Sequence, residues 1–427
     1  MKEKLRINEV EKNDVTVYDA IMGSGKTYDA INRMKQYLKE GKKFIYITPF
    51  KSEITRILDS LNSEKVLTPL SPEEKGAYQV NDNFLNKNGK IDLNTKPSFS
   101  YLNKRGQFLK MVVEEKNIIS THALFLKLKP EDYGMFSDYI LILDEVVTPL
   151  QTYKIGAEDI QILKNEELII IDEETNQVKF INDDYNDKAF KDVKTLCNNS
   201  TVYYLDKYFF VWAFPIEIFS GFKEVQILTY LFEGSLLAAY FRLHGINYDI
   251  LRNESQELLN CYKYLLNIYD GKANNSNKLN TFSKTWIDNL SKRKAKKIAF
   301  ITRNIFTRVF KTKSYENAYT TFKSYKSNLA GKGYTKGFIA INSRASNDYN
   351  HKKSLAYLGN RYFDPQTCSF FRERGVDLNQ DIWALSELVQ WLWRGCIRDK
   401  KEMNVFIPSY RMRKLLIDWL DGKYIQN

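Results

Sequence analysis

The run Ala20-Ile-Met-Gly-Ser-Gly-Lys-Thr27 constrains this chain more than any other stretch. It fits [AG]-x₄-G-K-[ST] and stands where that pattern requires. The apolar, strand-like VTVYDAI (15–21) precedes it, and an amphipathic helical segment runs from Lys26 to about Glu40. Strand, glycine turn and helix together put backbone amides at a helix N-terminus, where unpaired N–H groups and the dipole favour an anion. Gly23 and Gly25 permit backbone conformations and close approaches that a Cβ would block. Lys26 offers a point charge to the β/γ-phosphates, and the Thr27 hydroxyl can ligate Mg²⁺. The sequence thus predicts an ATP phosphate site made of Gly23, Ser24, Gly25, Lys26 and Thr27.

A second segment supplies the carboxylates such a site needs. Ile140-Leu-Ile-Leu precedes Asp144-Glu145, so a strand apolar on both faces ends in two acids. Asp144 is expected to hold Mg²⁺ through its water shell, and Glu145 to polarise the attacking water. An ordinary strand ending in solvated acids would look the same in isolation; the phosphate-loop sequence upstream gives the pair its meaning.

Between and beyond these segments, strand-like and helix-like patterns alternate. KFIYITPF (43–50), NIIST (117–121), YILILDE (139–145) and EVQILT (224–229) read as strands, and 26–40, 51–61 and 102–116 as helices. The stretch 71–100 reads as a loop. Such alternation predicts parallel sheets flanked by helices. ELIIIDEETNQVKFIND (167–183) breaks the pattern as a hairpin, giving a small β-rich insertion at about 151–215. The expected division is a first domain at 1–250, a linker at 251–280 containing the Asn-rich KANNSNKLN, and a second α/β domain at 281–427. That second domain opens with KKIAFITRN (296–304), read as a strand.

Charge bears on the partner. The net charge is +12, but residues 281–427 hold 28 Lys/Arg against 12 Asp/Glu, and residues 1–280 hold 36 against 40. A basic C-terminal third beside a near-neutral remainder points to a polyanion met mainly by that third. The four cysteines form no CxxC pair and there are only three histidines, which argues against a structural zinc site. No apolar run reaches the length of a membrane span, and MKEKLRINEVEKND does not resemble a signal peptide. A soluble, reduced, cytoplasmic protein without membrane contact is expected.

Motif order adds a resemblance. GSGKT, then Thr48-Pro49, then Ser120-Thr-His122, then Asp144-Glu145 follow one another as in superfamily 2 helicases and translocases. DEVV replaces DEAD or DEAH, and ILTYLFEGS (227–235) occupies the coupling-motif position without Ser/Thr-Ala-Thr. ILTYLFEGS, NSRASNDYNHKKSLAY (342–357) and QWLWRGCIRDKKEMNVFIPSYRMRKLL (390–416) are similar to a bacteriophage-encoded branch of those helicases. The resemblance implies two RecA-like domains in tandem and a nucleic acid-dependent ATPase, with DNA, single-stranded or forked, as substrate in phage replication or recombination. A host-cytoplasmic location and replication or recombination proteins as partners go with it.

It also implies an arginine-bearing helix in the second domain. Gln390, Arg394 and Arg398 lie at i, i+4 and i+8, on one quadrant of a helix. The family pattern Q-x₂-G-R-x₂-R has a glycine that is missing before Arg394, and Arg398 arrives one residue late. Arg394 takes the finger position on this reading. Thr48, Lys51, Thr121 and His122 in the first domain, Thr302 and Arg303 in the second, follow strand ends and are expected to grip nucleic acid phosphates. Ser343–Asn347 forms a further such turn. Two other functions fit the same residues: a packaging- or remodelling-type duplex translocase, and an ATP-switched nucleic acid-binding module.

Overall fold

A computed structural model describes residues 14–70, 79–81, 99–101, 103–206, 209–252, 256–274, 278–342 and 348–424. The chain forms two compact units. One comprises the chain up to Tyr18, Gly25–Thr229 and Tyr240–Leu251; the other comprises Asp19–Ser24, Tyr230–Ala239 and the chain from Arg252 on.

The first unit is built on strands β1 (Asp14–Asp19), β2 (Lys43–Thr48), β3 (Val66–Leu67), β4 (Asn117–Thr121), β5 (Tyr139–Asp144), β6 (Glu224–Thr229) and β7 (Asp249–Arg252). They form one sheet in the order β7-β1-β6-β5-β2-β4-β3. The pairs β6–β5, β5–β2, β2–β4 and β4–β3 are all parallel. Phe44, Ile45, Tyr46 and Ile47 of β2, and Leu141, Ile142 and Leu143 of β5, are wholly buried. A strand buried on both faces needs covering on both, and this is why near-continuous apolar runs mark these segments. Helix α1 (Lys26–Glu40) buries Ala30, Ile31 and Met34, and Gly41 ends it in the left-handed conformation. Helix α2 (Lys51–Leu61) buries Ile57 and Leu61. These groups share one core with Phe44, Tyr46 and Ile142.

The hairpin expected at 167–183 is part of a larger sheet. Antiparallel strands Leu150–Lys154, Phe209–Ala213, Thr201–Asp206, Gln177–Phe180 and Ile169–Ile171 stand in that order. They have their own core, containing Leu163, Val178, Val202 and Phe210.

The second unit carries β8 (Leu266–Ile268), β9 (Asn317–Thr320), β10 (Ser354–Tyr357) and β11 (Met403–Phe406), all parallel, in the order β8-β11-β10-β9. Helices α4 (Lys292–Asn304), α5 (Gln380–Leu392) and α6 (Tyr410–Leu420) flank it; the label α3 is kept for Lys104–Val113 of the first unit. The α/β class with parallel sheets flanked by helices, RecA-like units in tandem and a β-rich insertion is therefore as expected.

Three expectations are corrected. The stretch 251–280 is not a free linker: it supplies the helix Gln256–Leu265 and then β8, which pairs with β11. KKIAFITRN is helical, because Ser291 caps it and Ala295, Ala299 and Thr302 recur at helical spacing on the buried face. Finally, the helix carrying Gln390 stops at Leu392, and a separate 3₁₀ turn, Cys396–Asp399, holds Arg398. Gly395 lies between them in close contact: a Cβ there would sit 2.5 Å from the Met403 sulfur and 3.1 Å from the Lys352 carbonyl oxygen. Most of 71–100, and all of Ser343–Asn347, lie outside the described residues.

Candidate nucleotide site

The phosphate-loop sequence leaves β1 and enters α1 at Gly25, whose φ of 98° makes it a left-handed N-cap. Gly23 has a φ of 82°. Both conformations cost an L-residue strain and explain why these two positions are glycine. Gly25 has no side chain with which to cap α1. The Ser24 amide closes a turn onto the Ile21 carbonyl at 3.2 Å. Lys26 and Thr27 are half-buried at the start of the helix.

Within the sheet, β6 alone stands between β1 and β5. The Asp144 Oδ2 accepts a hydrogen bond from the Tyr46 hydroxyl at 2.7 Å. Burial, then the neighbouring Glu145, push the Asp144 carboxyl up to about 6, against the lowering effects of Tyr46 and Lys26. Glu145 has a φ of 66°, a left-handed conformation costly for a non-glycine residue and characteristic of functional positions. Its amide is held by the Leu228 carbonyl at 2.8 Å, and the Thr229 hydroxyl lies 3.5 Å from its Oε2. The β5–β6 register, with Leu228 opposite Asp144, brings those groups together.

Sequence reasoning missed Tyr46 and Thr229. Tyr46 could have been found as the hydroxyl within the apolar run FIYI of the strand neighbouring the acids; Thr229 as the last polar residue of EVQILT. It missed Asp19 too. That buried carboxylate, in the second unit, accepts from the Leu231 and Phe232 amides at 2.7 and 3.0 Å.

The arginines separate. Arg394 is 5% exposed. Arg398 is exposed, and its Cγ lies 3.9 Å from where a Cβ on Gly23 would be. The two are not on one helix face, contrary to the i, i+4, i+8 expectation, and it is Arg398 whose stem lies beside Gly23, in the same unit. Gln390 is half-buried and donates to the Ser386 hydroxyl at 3.2 Å.

The expected strand-gripping residues fare unevenly. Thr48 and Thr302 are wholly buried, which corrects their assignment as contacts. Thr121 spends its hydroxyl capping the short helix His122–Phe125, and the His122 Nε2 pairs with the Asp144 carbonyl oxygen at 2.9 Å. His122 thus braces the acid-bearing strand end. Arg303 is half-buried near the end of α4, not after a strand, and of these residues Lys51 alone is exposed.

Fold and motif together define the class: an α/β protein of two RecA-like units carrying a phosphate-loop sequence. The chain belongs to the YonV family. It is 34% identical, over 96% of its length and 99% of the relative's, to the SPbeta prophage-derived protein YonV of Bacillus subtilis (strain 168). The family models for the YonV middle domain and the YonV C-terminal Rossmann-like domain match residues 150–212 and 260–420. Among solved structures it is similar to an XPD helicase (TM-score 0.49, 13% identity, 96% of this chain and 94% of that one). S. tokodaii Xpd4 (0.46, 13%, 95% and 94%) and a variant of S. cerevisiae Dbp5 bound to RNA and ADP-beryllium fluoride (0.43, 8%, 97% and 84%) are further such structures.

Proposed function

We propose that this chain is a nucleic acid-stimulated ATP hydrolase acting as a helicase or translocase. The observation that carries the reading is the juxtaposition of Asp144 and Glu145, one strand removed from β1 and its phosphate loop, with Lys26 close enough to lower the Asp144 carboxyl. The amides of Gly23–Thr27 and the Lys26 ammonium bind the phosphates. Mg²⁺ fits the residues present: Asp144 is a buried carboxylate under the field of a second one, and Thr27 adds a hydroxyl. Mg²⁺ is an ion that takes few protein ligands and keeps its water and phosphate oxygens. When bound it neutralises charge on the β/γ-phosphates. Glu145, held by the Leu228 carbonyl and beside Thr229, orients the attacking water. Arg398 replaces Arg394 as the arginine that approaches the phosphates.

DNA is the substrate this reading favours, in phage replication or recombination, because the relative at 34% identity is prophage-derived. The steady-state ATPase rate with single-stranded DNA, duplex DNA and RNA as stimulants tests it. Lys26→Ala abolishes turnover. Glu145→Gln retains ATP binding, read by a fluorescent analogue, and loses hydrolysis. Near-normal turnover in either variant, or no stimulation by any nucleic acid, defeats the reading.

A further inference from the structure

The charge asymmetry narrows sharply in the second unit. Residues 289–347 hold 14 Lys/Arg and a single acid, Glu316, whereas the rest of the chain holds 50 Lys/Arg against 51 Asp/Glu. The whole net charge of +12 thus comes from 59 consecutive residues. Arg344 lies outside the described residues; of the other thirteen basic groups, all but the half-buried Arg303 are exposed. Glu316 is turned inward, 7% exposed and paired with Lys353 at 2.7 Å, so it does not neutralise that surface. Asp288, just before the segment, is paired with Lys284.

Two of the basic stretches, α4 and 323–336, are joined. The Tyr334 hydroxyl donates to the Leu329 carbonyl at 2.7 Å and to the Ala299 carbonyl of α4 at 3.3 Å, which ties the 323–336 segment to that helix. Ala295, Phe306, Leu329 and Tyr334 form a common core beneath. Above it, Phe300 is 56% exposed. On α4 its face neighbours at i−7, i−4, i−3 and i+3 are Arg293, Lys296, Lys297 and Arg303. A solvated basic helix has no need of an aromatic ring at the centre of its cationic face. A strand whose phosphates meet lysines while an unpaired base stacks on a ring requires both.

We propose that the outer face of α4, with the adjoining 323–336 segment, docks single-stranded nucleic acid, phosphates on Arg293, Lys296 and Lys297 and a base on Phe300. This rests on the nucleic acid-stimulated reading above, and of the residues expected to grip the strand it takes in Arg303.

The test is fluorescence anisotropy of the full-length chain with labelled oligothymidylate, a duplex of equal length, and phosphatidylserine vesicles. Lys296→Ala/Lys297→Ala should weaken oligothymidylate binding at least about tenfold and lower the slope of log K against log salt by about 1.4, two contacts at about 0.7 each. Phe300→Ala should weaken the single strand about tenfold and leave the duplex nearly unchanged. All three positions are exposed, so circular dichroism and ATP turnover without nucleic acid should stay at wild-type levels. Binding of the variants equal to wild type, vesicles preferred over oligothymidylate, or no strand binding by the wild type overturns the proposal. If the variants bind normally while wild type hydrolyses ATP with strand stimulation, the docking surface falls and the proposed function stands. If ATP is never hydrolysed yet the variants lose the strand, the converse holds.

Discussion

Arg394 and Arg398 are four residues apart and face different surroundings. Arg394 is buried, so truncating it removes buried surface; Arg398 is exposed with its stem beside Gly23. An arginine acting on a transferring phosphoryl group is worth about 10³–10⁵ in turnover. Arg398→Ala should therefore cut stimulated kcat by orders of magnitude with an unchanged melting temperature, and Arg398→Lys should rescue poorly because a point charge lacks the bidentate fork. Arg394→Ala should chiefly lower the urea midpoint. Kinetics and melts on the same preparations decide, and the reverse pattern would return the finger to Arg394. Asp144 gives a second residue-scale expectation. Its carboxyl titrates at about 6 when folded against 3.8 ordinarily, so the folded chain binds a proton the unfolded chain has released. Stability from this group is full below pH 3.8 and is lost as pH rises through about 6. In metal- and nucleotide-free buffer, Asp144→Asn should raise the melting temperature above pH 6 and lose that advantage towards pH 3.8; a pH-independent difference would contradict the assignment.

At the scale of elements, the 230–239 segment is held within the second unit by contacts that leave no slack. A Cβ on Gly234 would lie 2.5 Å from the Trp383 amide nitrogen and 2.7 Å from the Ile382 carbonyl carbon, both backbone of α5. The Ser386 hydroxyl donates to the Tyr230 carbonyl at 3.2 Å, and the Trp419 indole donates to the Tyr230 hydroxyl at 2.6 Å. Backbone cannot yield as a side-chain tip can, so Gly234→Ala should destabilise by about 1–3 kcal/mol or more, read from urea unfolding. A neutral substitution would mean that α5 does not pack there. The same elements show what could be read from the chain. β2, α2, β4 and β5 were legible because buried strands are near-continuously apolar and α2 has a helical apolar stripe. α4 was not, since IAFIT imitates a strand and only the packing of Ala295 and Ala299 decides for helix. Nor was the end of α5 at Leu392, which depends on the contacts of Gly395 with Met403 and Lys352. The phosphate-loop sequence and Asp144-Glu145 were visible as motifs. Tyr46, Thr229 and the bracing role of His122 were not, because each depends on which strands lie side by side.

For the whole molecule, the decisive quantity is where the charge lies. With 289–347 carrying +13 and everything else −1, attraction for a polyanion is concentrated in one segment of the second unit. The phosphate contacts proposed for the loop, by comparison, use backbone amides and one lysine at a half-buried site, where screening by salt is weaker. The two activities should then separate on ionic strength. A protein neutralising several phosphates loses about 10³–10⁵ in strand affinity between roughly 50 and 200 mM salt when it makes 6–10 contacts, through counterion release. Turnover without nucleic acid should change little over that range, whereas the strand concentration giving half-maximal stimulation should climb steeply. The maximal stimulated rate should return when the strand is raised to saturation, because salt acts on docking and not on hydrolysis. Base composition of the strand should matter little, since phosphate contacts carry no sequence information. The measurement is a matrix of ATPase rates over salt and oligonucleotide concentration. A maximal rate that falls with salt in parallel with the unstimulated rate, even at saturating strand, would place the salt-sensitive step in the nucleotide site and remove the basic segment from the mechanism.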